Sequence, residues 1–353
     1  MALVYLSTGG LILCLAWLTL FPLQRCLDRW QAIDIPNERS SHSRPTTRGG
    51  GVIIVVLTLG SLLALSLLWP ALSLGAALIY ALGAALIAAV SWLDDLRSLS
   101  SRVRFGVHSV GALIALAGFG YWSRVTLPLI GELPLGWLGL PLTFFWIVGL
   151  TNAYNFMDGI DGIAGSQAVV GGLAWAAIGA AIGQPLVAAL GTLVAASSLG
   201  FLGHNWSPAR IFMGDVGSAF LGYSFALLPL IAAAPRDAGY ATQTPLAGLL
   251  VVWPFVFDTA LTIVRRWRNG ENIFAAHRSH LYQRLIIAGY SHRAVTLLYT
   301  AMAASGAIFA YLFVTTSGLI DWLVVAGVML GAAGLHVFVA RQERRRTDMK
   351  AIG

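Results

Sequence analysis

Long apolar runs dominate the chain, and short polar connections separate them. Such runs reach about 18 residues or more, the length at which an α-helix crosses the hydrocarbon core of a bilayer. The pattern predicts an all-α polytopic membrane protein with eleven transmembrane helices. The predicted spans cover residues 3–22, 51–69, 74–93, 105–121, 137–151, 163–182, 185–203, 216–233, 246–264, 295–315 and 319–340.

The composition supports this interpretation. Of the 353 residues, 58% are hydrophobic and 10% are charged, whereas a soluble protein carries roughly 25% charged residues. Neither a linker nor a second soluble domain interrupts the pattern, so residues 1–353 are predicted to form one integral membrane domain. Segment 122–136 contains strand-forming residues and turn signals, which favour a small hairpin.

The basic residues predict the orientation. An odd number of spans puts the two ends on opposite sides, and 20 of the 22 Lys and Arg then fall in one set of connections. Under the positive-inside rule this set is cytoplasmic. We therefore expect the N-terminus outside and the C-terminus inside. The need for basic residues on the cytoplasmic side also explains the net charge of +7. Nucleic acid is therefore not needed as a partner to explain it.

Five aspartates lie at the same predicted cytoplasmic ends of helices. A carboxylate near hydrocarbon is costly unless it is paired, hydrated or bound to a metal. Each one alone can be an ordinary helix cap, but five in three separate connections indicate a functional site. They are Asp94, Asp95, Asp158, Asp161 and Asp215.

The first motif, "SWLDDLRSLSSRVRF" (91–105), ends the third span with two acids. Adjacent helical residues point about 100° apart, so Asp94 and Asp95 face different partners. Arg104 follows, and arginine suits bidentate contact with phosphate. Membrane anchoring explains this arginine equally well.

The second motif, "TNAYNFMDGIDGIAG" (151–165), contains two Asn and two Asp but neither Lys nor Arg. Asn152 and Asn155 are three residues apart, as are Asp158 and Asp161, and this spacing places each pair on one helical face. The motif is therefore predicted to present four polar side chains to one site.

The third motif, "IFMGDVGS" (211–218), opens the eighth span. Its helix N-terminus favours a nearby phosphate, Asp215 offers a ligand for a divalent cation, and Phe212 can stack on a base or anchor in the membrane interface. The first loop carries Arg48 beside three glycines, which fits either a phosphate-binding loop or a mobile lid.

The fourth motif lies in the longest basic loop and contains "HRSHLYQRL" (277–285). His277 and His280 could form a zinc site, but no Cys lies near and the acids elsewhere are hard oxygen ligands that favour Mg²⁺. With Arg278, the two histidines instead form a cationic patch suited to a diphosphate.

These four motifs resemble those of the polyprenyl-phosphate N-acetylhexosamine-1-phosphate transferase family, and the resemblance covers nearly the whole chain in order. Phospho-N-acetylmuramoyl-pentapeptide transferase is a relative. Eleven spans with a cytoplasmic C-terminus resemble the branch that initiates O-antigen and enterobacterial common antigen. The sequence His277-Arg278-Ser279-His280 departs from the histidine triple of the cell-wall branch.

The resemblance implies a reaction at the inner membrane of a bacterium. Undecaprenyl phosphate attacks the β-phosphorus of a UDP-N-acetylhexosamine on the cytoplasmic face, UMP leaves, and a lipid-diphosphate-sugar is formed for lipopolysaccharide or a related glycan. The cofactor is Mg²⁺, with Mn²⁺ as the alternative. The sugar, the oligomeric state (a homodimer included) and the choice between direct transfer and an aspartyl intermediate are left open.

The resemblance also implies roles for individual residues. Asp215 resembles the Mg²⁺ ligand, and Asp94 and Asp95 resemble the pair that orients metal and lipid phosphate, with Asp95 as a second ligand or a base. Asp158 and Asp161 belong to the catalytic set. The implied substrate-binding residues are Arg48, Arg104, Asn152, Asn155, Phe212, His277, Arg278 and His280.

Two alternative functions differ from this interpretation. A pentapeptide transferase of peptidoglycan synthesis shares the motifs, and a transporter or flippase would use acids and arginines along a transport path. In a transporter, charged residues that bind the substrate are expected near the bilayer midplane. Only Asp258 lies well inside a predicted span, where it could pair with an arginine such as Arg265, or touch the lipid phosphate or the site.

Overall fold

A computed structural model describes residues 2–36, 44–235, 238–272, 277–316 and 319–352. The described residues form thirteen α-helices and five short strands. The helices are α1 Ala2–Arg29, α2 Val52–Leu68, α3 Leu74–Arg97, α4 Ser101–Phe119, α5 Gly139–Phe156, α6 Ile163–Ala181, α7 Pro185–Asn205, α8 Asp215–Ala232, α9 Thr244–Val251, α10 Trp253–Arg268, α11 Leu281–Ile287, α12 His292–Thr315 and α13 Leu319–Ile352. The strands are β1 Ile33–Asp34, β2 Thr46–Arg48, β3 Arg124–Leu127, β4 Gly131–Pro134 and β5 Ile211–Phe212.

Each of the eleven predicted segments coincides with a helix or a helix pair, but the number of described helices that are long and apolar enough to cross a membrane does not confirm eleven spans. Eight of the described helices are long and apolar enough to cross a membrane, or nine if one bent pair is a single span. Helix α2 has only 17 residues, and α4 begins with two arginines in its first turn. The inside and outside assignment of the termini stays a prediction.

The bent pair corrects the prediction of one continuous span over 246–264. Helices α9 and α10 meet at an angle of 78°. Pro254 lies in the first turn of α10, where it has no backbone N–H to donate to the preceding turn. The sequence therefore contains the cause of the break, although its hydrophobicity runs across it.

Helix α8 is the centre of the bundle, because every residue from Val216 to Ala232 is buried. It packs against α3, α5 and α9. Buried hydroxyl groups connect it to its neighbours: Tyr80 Oη lies 2.7 Å from Ser224 Oγ, and Tyr223 Oη donates to the Gly111 carbonyl at 3.0 Å. This central position fixes the end of α8 that begins with Asp215.

Two small sheets lie outside the helices. Strands β3 and β4 pair antiparallel from Arg124↔Pro134 to Leu127↔Gly131, which confirms the predicted hairpin. The second sheet has the order β1-β2-β5, in which β2 and β5 are parallel and Arg48 lies opposite Phe212. It brings the first loop against the segment that precedes α8.

The contact between α6 and α7 depends on glycine. A Cβ atom on Gly191 would lie 2.5 Å from the Ala176 backbone nitrogen and 2.7 Å from the Gly172 carbonyl oxygen. Small residues allow helix backbones to approach this closely in a membrane protein.

We predict that Gly191→Ala lowers the free energy of unfolding by about 1–3 kcal/mol, because the helices must separate. Gly60→Ala on α2 is the matched control, since nothing lies within 4 Å of its added Cβ; there alanine should be neutral or stabilising by up to ~1 kcal/mol. Thermal unfolding in detergent measures both. Equal melting temperatures for the two variants would contradict the predicted close packing.

Candidate active site

Two arginines and three aspartates join the ends of α3, α4 and α8. Arg48 Nε lies 2.8 Å from Asp95 Oδ1, and Arg48 Nη2 lies 2.6 Å from Asp215 Oδ1. Arg104 Nη1 lies 3.1 Å from Asp94 Oδ2 and 3.5 Å from Asp215 Oδ2. Asp215 is therefore shared by both guanidinium groups. We call these five residues the carboxylate–arginine network.

Asp95 also caps the N-terminus of α8. The backbone N–H groups of Asp215 and Val216 donate to its two carboxylate oxygens at 2.8 and 3.0 Å. Gly214 precedes them with a φ of +77°, and a Cβ there would approach Asp95 Oδ2 to 2.6 Å. The phosphate predicted at this helix N-terminus is thus replaced by a carboxylate of the protein itself.

Arg48 keeps its positive charge in the network. Burial alone would lower the pKa of its guanidinium, but the neighbouring carboxylates of Asp215 and Asp95 outweigh burial and raise the pKa above its ordinary value. The pairing of β2 with β5 holds the backbone of Arg48 in place. The first loop is therefore part of the site.

The connection between α5 and α6 carries the other two predicted catalytic acids. Burial would raise the pKa of Asp161, but its contact with His292 Nδ1 at 3.2 Å holds the pKa below the ordinary value. Asp161 also accepts a hydrogen bond from the Ala209 N–H at 3.2 Å. Burial, reinforced by the charge of Asp215, raises the pKa of Asp158 to about 7. The carboxylates near Asp158 therefore outweigh the one guanidinium group near it, that of Arg48.

Asn205, at the end of α7, connects two of the motifs. Its Oδ1 accepts the Gly162 N–H at 3.0 Å, and its Nδ2 donates to the Ile211 carbonyl at 2.9 Å. The connection that carries Asp158 and the strand that precedes Asp215 are thereby held at one fixed separation.

These elements enclose a cleft of about 190 Å³. Its walls are largely acidic and polar. They come from β1, β2, β5 and α11, from the ends of α5 and α7, from the connection between α5 and α6, and from the starts of α8 and α12. The lining residues are Asp34, Arg48, Asn155, Asp158, Gly159, Ile160, Asp161, Asn205, Phe212, Met213, Gly214, Asp215, Gln283 and His292.

Most of the residues predicted from the sequence come together here. Six line the cleft, and Asp94, Asp95 and Arg104 adjoin it through Asp215. The six lining residues are Arg48, Asn155, Asp158, Asp161, Phe212 and Asp215. Their chemical roles stay predictions.

Four predicted substrate-binding residues lie outside the cleft lining. Asn152 donates to the Val148 carbonyl of its own helix at 2.8 Å. His280 is buried and holds Asp258 through Nδ1 at 3.1 Å. The other two, His277 and Arg278, precede α11.

His277 therefore differs from the cationic patch expected of it, and His280 faces Asp258 instead of the cleft. Burial, with the nearby His280 and Arg266, lowers the pKa of His277 to about 4, so its imidazole is neutral at pH 7 in the free protein. Arg278 fits a phosphate better: within the described part of the chain, its buried Nε has no hydrogen-bond partner.

Four polar residues of the cleft were not predicted from the sequence: Asp34, Asn205, Gln283 and His292. Asp34 and Asn205 stand next to predicted motifs, so their proximity in the chain was the available signal. Gln283 lies inside the fourth motif, which was its available signal, whereas His292 reaches the cleft only because α12 folds back towards the connection between α5 and α6.

The charges of the site fit a divalent cation. Four carboxylates, those of Asp94, Asp95, Asp158 and Asp215, lie near only two guanidinium groups, those of Arg48 and Arg104, so acidic side chains outnumber the arginines. Among the residues that the structure describes, no group of three or more His, Cys, Asp or Glu side chains is placed to hold a metal ion. Mg²⁺ commonly uses one or two protein carboxylates and completes its shell with water and substrate phosphates. The donor set thus suits Mg²⁺ shared with a phosphate substrate.

Comparison with known proteins identifies the class. Residues 77–233 match the model of glycosyl transferase family 4. The chain is 36% identical over 273 residues to the probable undecaprenyl-phosphate N-acetylglucosaminyl 1-phosphate transferase of Bacillus subtilis, covering 76% of this chain and 73% of that protein. It is 31% identical over 340 residues to the decaprenyl-phosphate N-acetylglucosaminephosphotransferase of Mycobacterium tuberculosis, covering 87% of this chain and 83% of that protein.

The chain therefore belongs to glycosyl transferase family 4. Its relatives include polyprenyl-phosphate N-acetylglucosamine-1-phosphate transferases. The phospho-N-acetylmuramoyl-pentapeptide-transferase of a Synechococcus species is related over a shorter stretch, with 39% identity over 153 residues that cover 40% of this chain and 44% of that protein.

We predict that Arg48→Gln lowers the free energy of unfolding by about 2 kcal/mol in the absence of divalent cations, because Asp95 and Asp215 lose a shared charged partner. Arg44→Gln, an exposed arginine of the same loop, should change it by less than ~0.5 kcal/mol. Thermal unfolding in detergent with a chelator measures both. A melting temperature for Arg48→Gln equal to that of Arg44→Gln would show that the network does not stabilise the fold.

Proposed function

We propose that the protein transfers N-acetylglucosamine 1-phosphate from UDP-N-acetylglucosamine to undecaprenyl phosphate, at the cytoplasmic face of a bacterial inner membrane. The observation that carries the proposal is the position of the cleft. It lies where the membrane helices α3, α5 and α8 end or begin, so a lipid phosphate and a soluble nucleotide sugar can both reach it. The names of the relatives supply the sugar and the class of lipid carrier.

The proposed reaction needs little covalent help from the protein. An oxygen of the lipid phosphate forms a bond to the β-phosphorus of the nucleotide sugar, the bond from that phosphorus to the bridging oxygen breaks, and UMP leaves. Such transfers depend mainly on positioning and on neutralising phosphate charge. A Mg²⁺ ion held by the carboxylates of the site would supply part of that charge neutralisation.

The position of each residue suggests its role in the proposed reaction. Asp215 would hold the cation together with one further carboxylate, that of Asp158 or Asp95. Asp215 and Asp158 line the cleft, and Asp95 adjoins it through Arg48. Arg48 and Arg104 keep Asp215 ionised and add positive charge beside it. Phe212 offers an aromatic face for the uracil.

The product would be a lipid-linked sugar that begins O-antigen or a related surface glycan. The resemblance of the chain to initiating enzymes supports the glycan, and the names of the transferase relatives support only a lipid-linked N-acetylglucosamine as the product. N-acetylgalactosamine and the 6-deoxy N-acetylhexosamines are the competing sugars. A panel of UDP-sugars distinguishes them.

The expected result with purified protein, undecaprenyl phosphate, Mg²⁺ and UDP-N-acetylglucosamine is release of UMP, which stops when a chelator removes the metal. Asp215→Asn should lower kcat/KM by at least ~100-fold, because charge stabilisation at the phosphates is lost.

Glu132→Gln is the matched control. Glu132 is an exposed carboxylate that pairs with Arg124 in the hairpin, so its loss should leave the rate unchanged. Absence of UMP with every UDP-sugar tested would overturn the proposed function. Full activity in Asp215→Asn would overturn the metal assignment alone.

A further inference from the structure

Asp258 lies in α10 and is completely buried, yet it is not among the residues that line the cleft. Its Oδ1 accepts hydrogen bonds from the Leu281 N–H at 2.8 Å and from His280 Nδ1 at 3.1 Å. Its Oδ2 accepts the Tyr282 N–H at 3.1 Å and the Tyr299 hydroxyl at 2.6 Å. The Thr262 hydroxyl of α10 also donates to Oδ1 at 3.2 Å. The carboxylate thus joins α10 to the start of α11 and to α12.

These contacts differ from the sequence-based alternatives for this residue. Asp258 pairs with His280, and Arg265 donates instead to the Ser279 carbonyl. Both residues of α10 therefore hold the segment that leads into α11. The first two N–H groups of α11 would be unsatisfied without an acceptor, and Asp258 supplies that acceptor from 23 residues upstream.

The first turn of α11 in turn touches the connection that carries the predicted catalytic acids. Tyr282 Oη donates to the Phe156 carbonyl at 3.1 Å. The same hydroxyl occupies the space beside Gly159, where an added Cβ would overlap it. Gln283 follows, lines the cleft, and accepts the His280 N–H through Oε1 at 3.2 Å.

The geometry points to Asp258 as a positioning residue for phosphoryl transfer: it fixes the first turn of α11, so that Tyr282 holds the Phe156–Asp161 segment and Gln283 holds the cleft wall. The inference deepens the proposed function and rests on it for the kinetic effect. The position of the Phe156–Asp161 segment can be measured in the protein without substrate, so that part of the inference does not depend on the proposed function.

Asp258→Asn tests the inference. Asparagine has the same size, but its amide nitrogen cannot accept the N–H and O–H groups that face one of the two oxygens. The expected result is amide hydrogen exchange about tenfold faster in peptides that cover residues 158–163. Peptides that cover residues 214–218, held by Asp95, should exchange as in the wild type.

Tyr299→Phe is the matched control, because it removes one donor from the same carboxylate and leaves the bonds to Leu281 and Tyr282. If Asp258 only stabilised the buried helices, both variants would loosen the protein alike. Unchanged exchange at 158–163 in Asp258→Asn, or an equal increase in Tyr299→Phe, overturns the inference.

Kinetics give a second readout. In Asp258→Asn, KM for UDP-N-acetylglucosamine should rise about tenfold and kcat should fall, since a small displacement of reacting groups costs up to ~100-fold in rate. A loss of folded protein alone would lower the total rate at unchanged KM. Wild-type protein that releases no UMP overturns the proposed function, whereas the exchange result still decides the role of Asp258.

Tyr282→Phe decides the matter if Asp258→Asn does not fold. It removes the hydroxyl that contacts Phe156 and leaves the ring in place. Faster exchange at 158–163 supports the inference, and unchanged exchange overturns it. Gly159→Ala adds a rescue test, because the added Cβ should be tolerated better with Tyr282→Phe than alone.

Discussion

The site depends on a carboxylate from one helix accepting the first backbone N–H groups of another. Asp95 of α3 does this for α8, and its two bonds place Asp215 at the edge of the cleft. An unpaired N–H or an unpaired charge at this depth would be costly, so the two helix ends stay together. Arg48 and Arg104 then balance part of the negative charge that this arrangement concentrates.

The same device appears a second time with Asp258 and α11. In both places the acceptor lies far away in the sequence, and the helix that it caps delivers residues to the cleft. The two caps differ in their surroundings: Asp95 is paired with an arginine and borders the cleft, whereas Asp258 is enclosed by tyrosine and histidine. Asp95 therefore both caps a helix and adds negative charge beside the cleft, whereas Asp258 only caps a helix.

The sequence predicted those features that depend on local pattern. Apolar runs located the helices, turn signals located the β3–β4 hairpin, and acids at helix ends located most of the cleft. Contacts between distant segments could not be read in this way. The two- and three-residue strands that bring Arg48 beside Phe212 are too short for any periodicity, and the partner of Asp258 depends on how α11 packs against α10.

The misplaced histidines illustrate the same limit. A His-rich basic loop suggests a cationic patch, because charge can be counted from the sequence. Whether an imidazole is charged depends on burial and on neighbouring groups, and here burial beside Arg266 and His280 keeps His277 neutral. In the proposed reaction, positive charge for a diphosphate would therefore come from guanidinium groups and a metal ion. An excess of carboxylates at the cleft is compatible with an anionic substrate on that proposal, because the acids would hold cations and the cations would hold the phosphates.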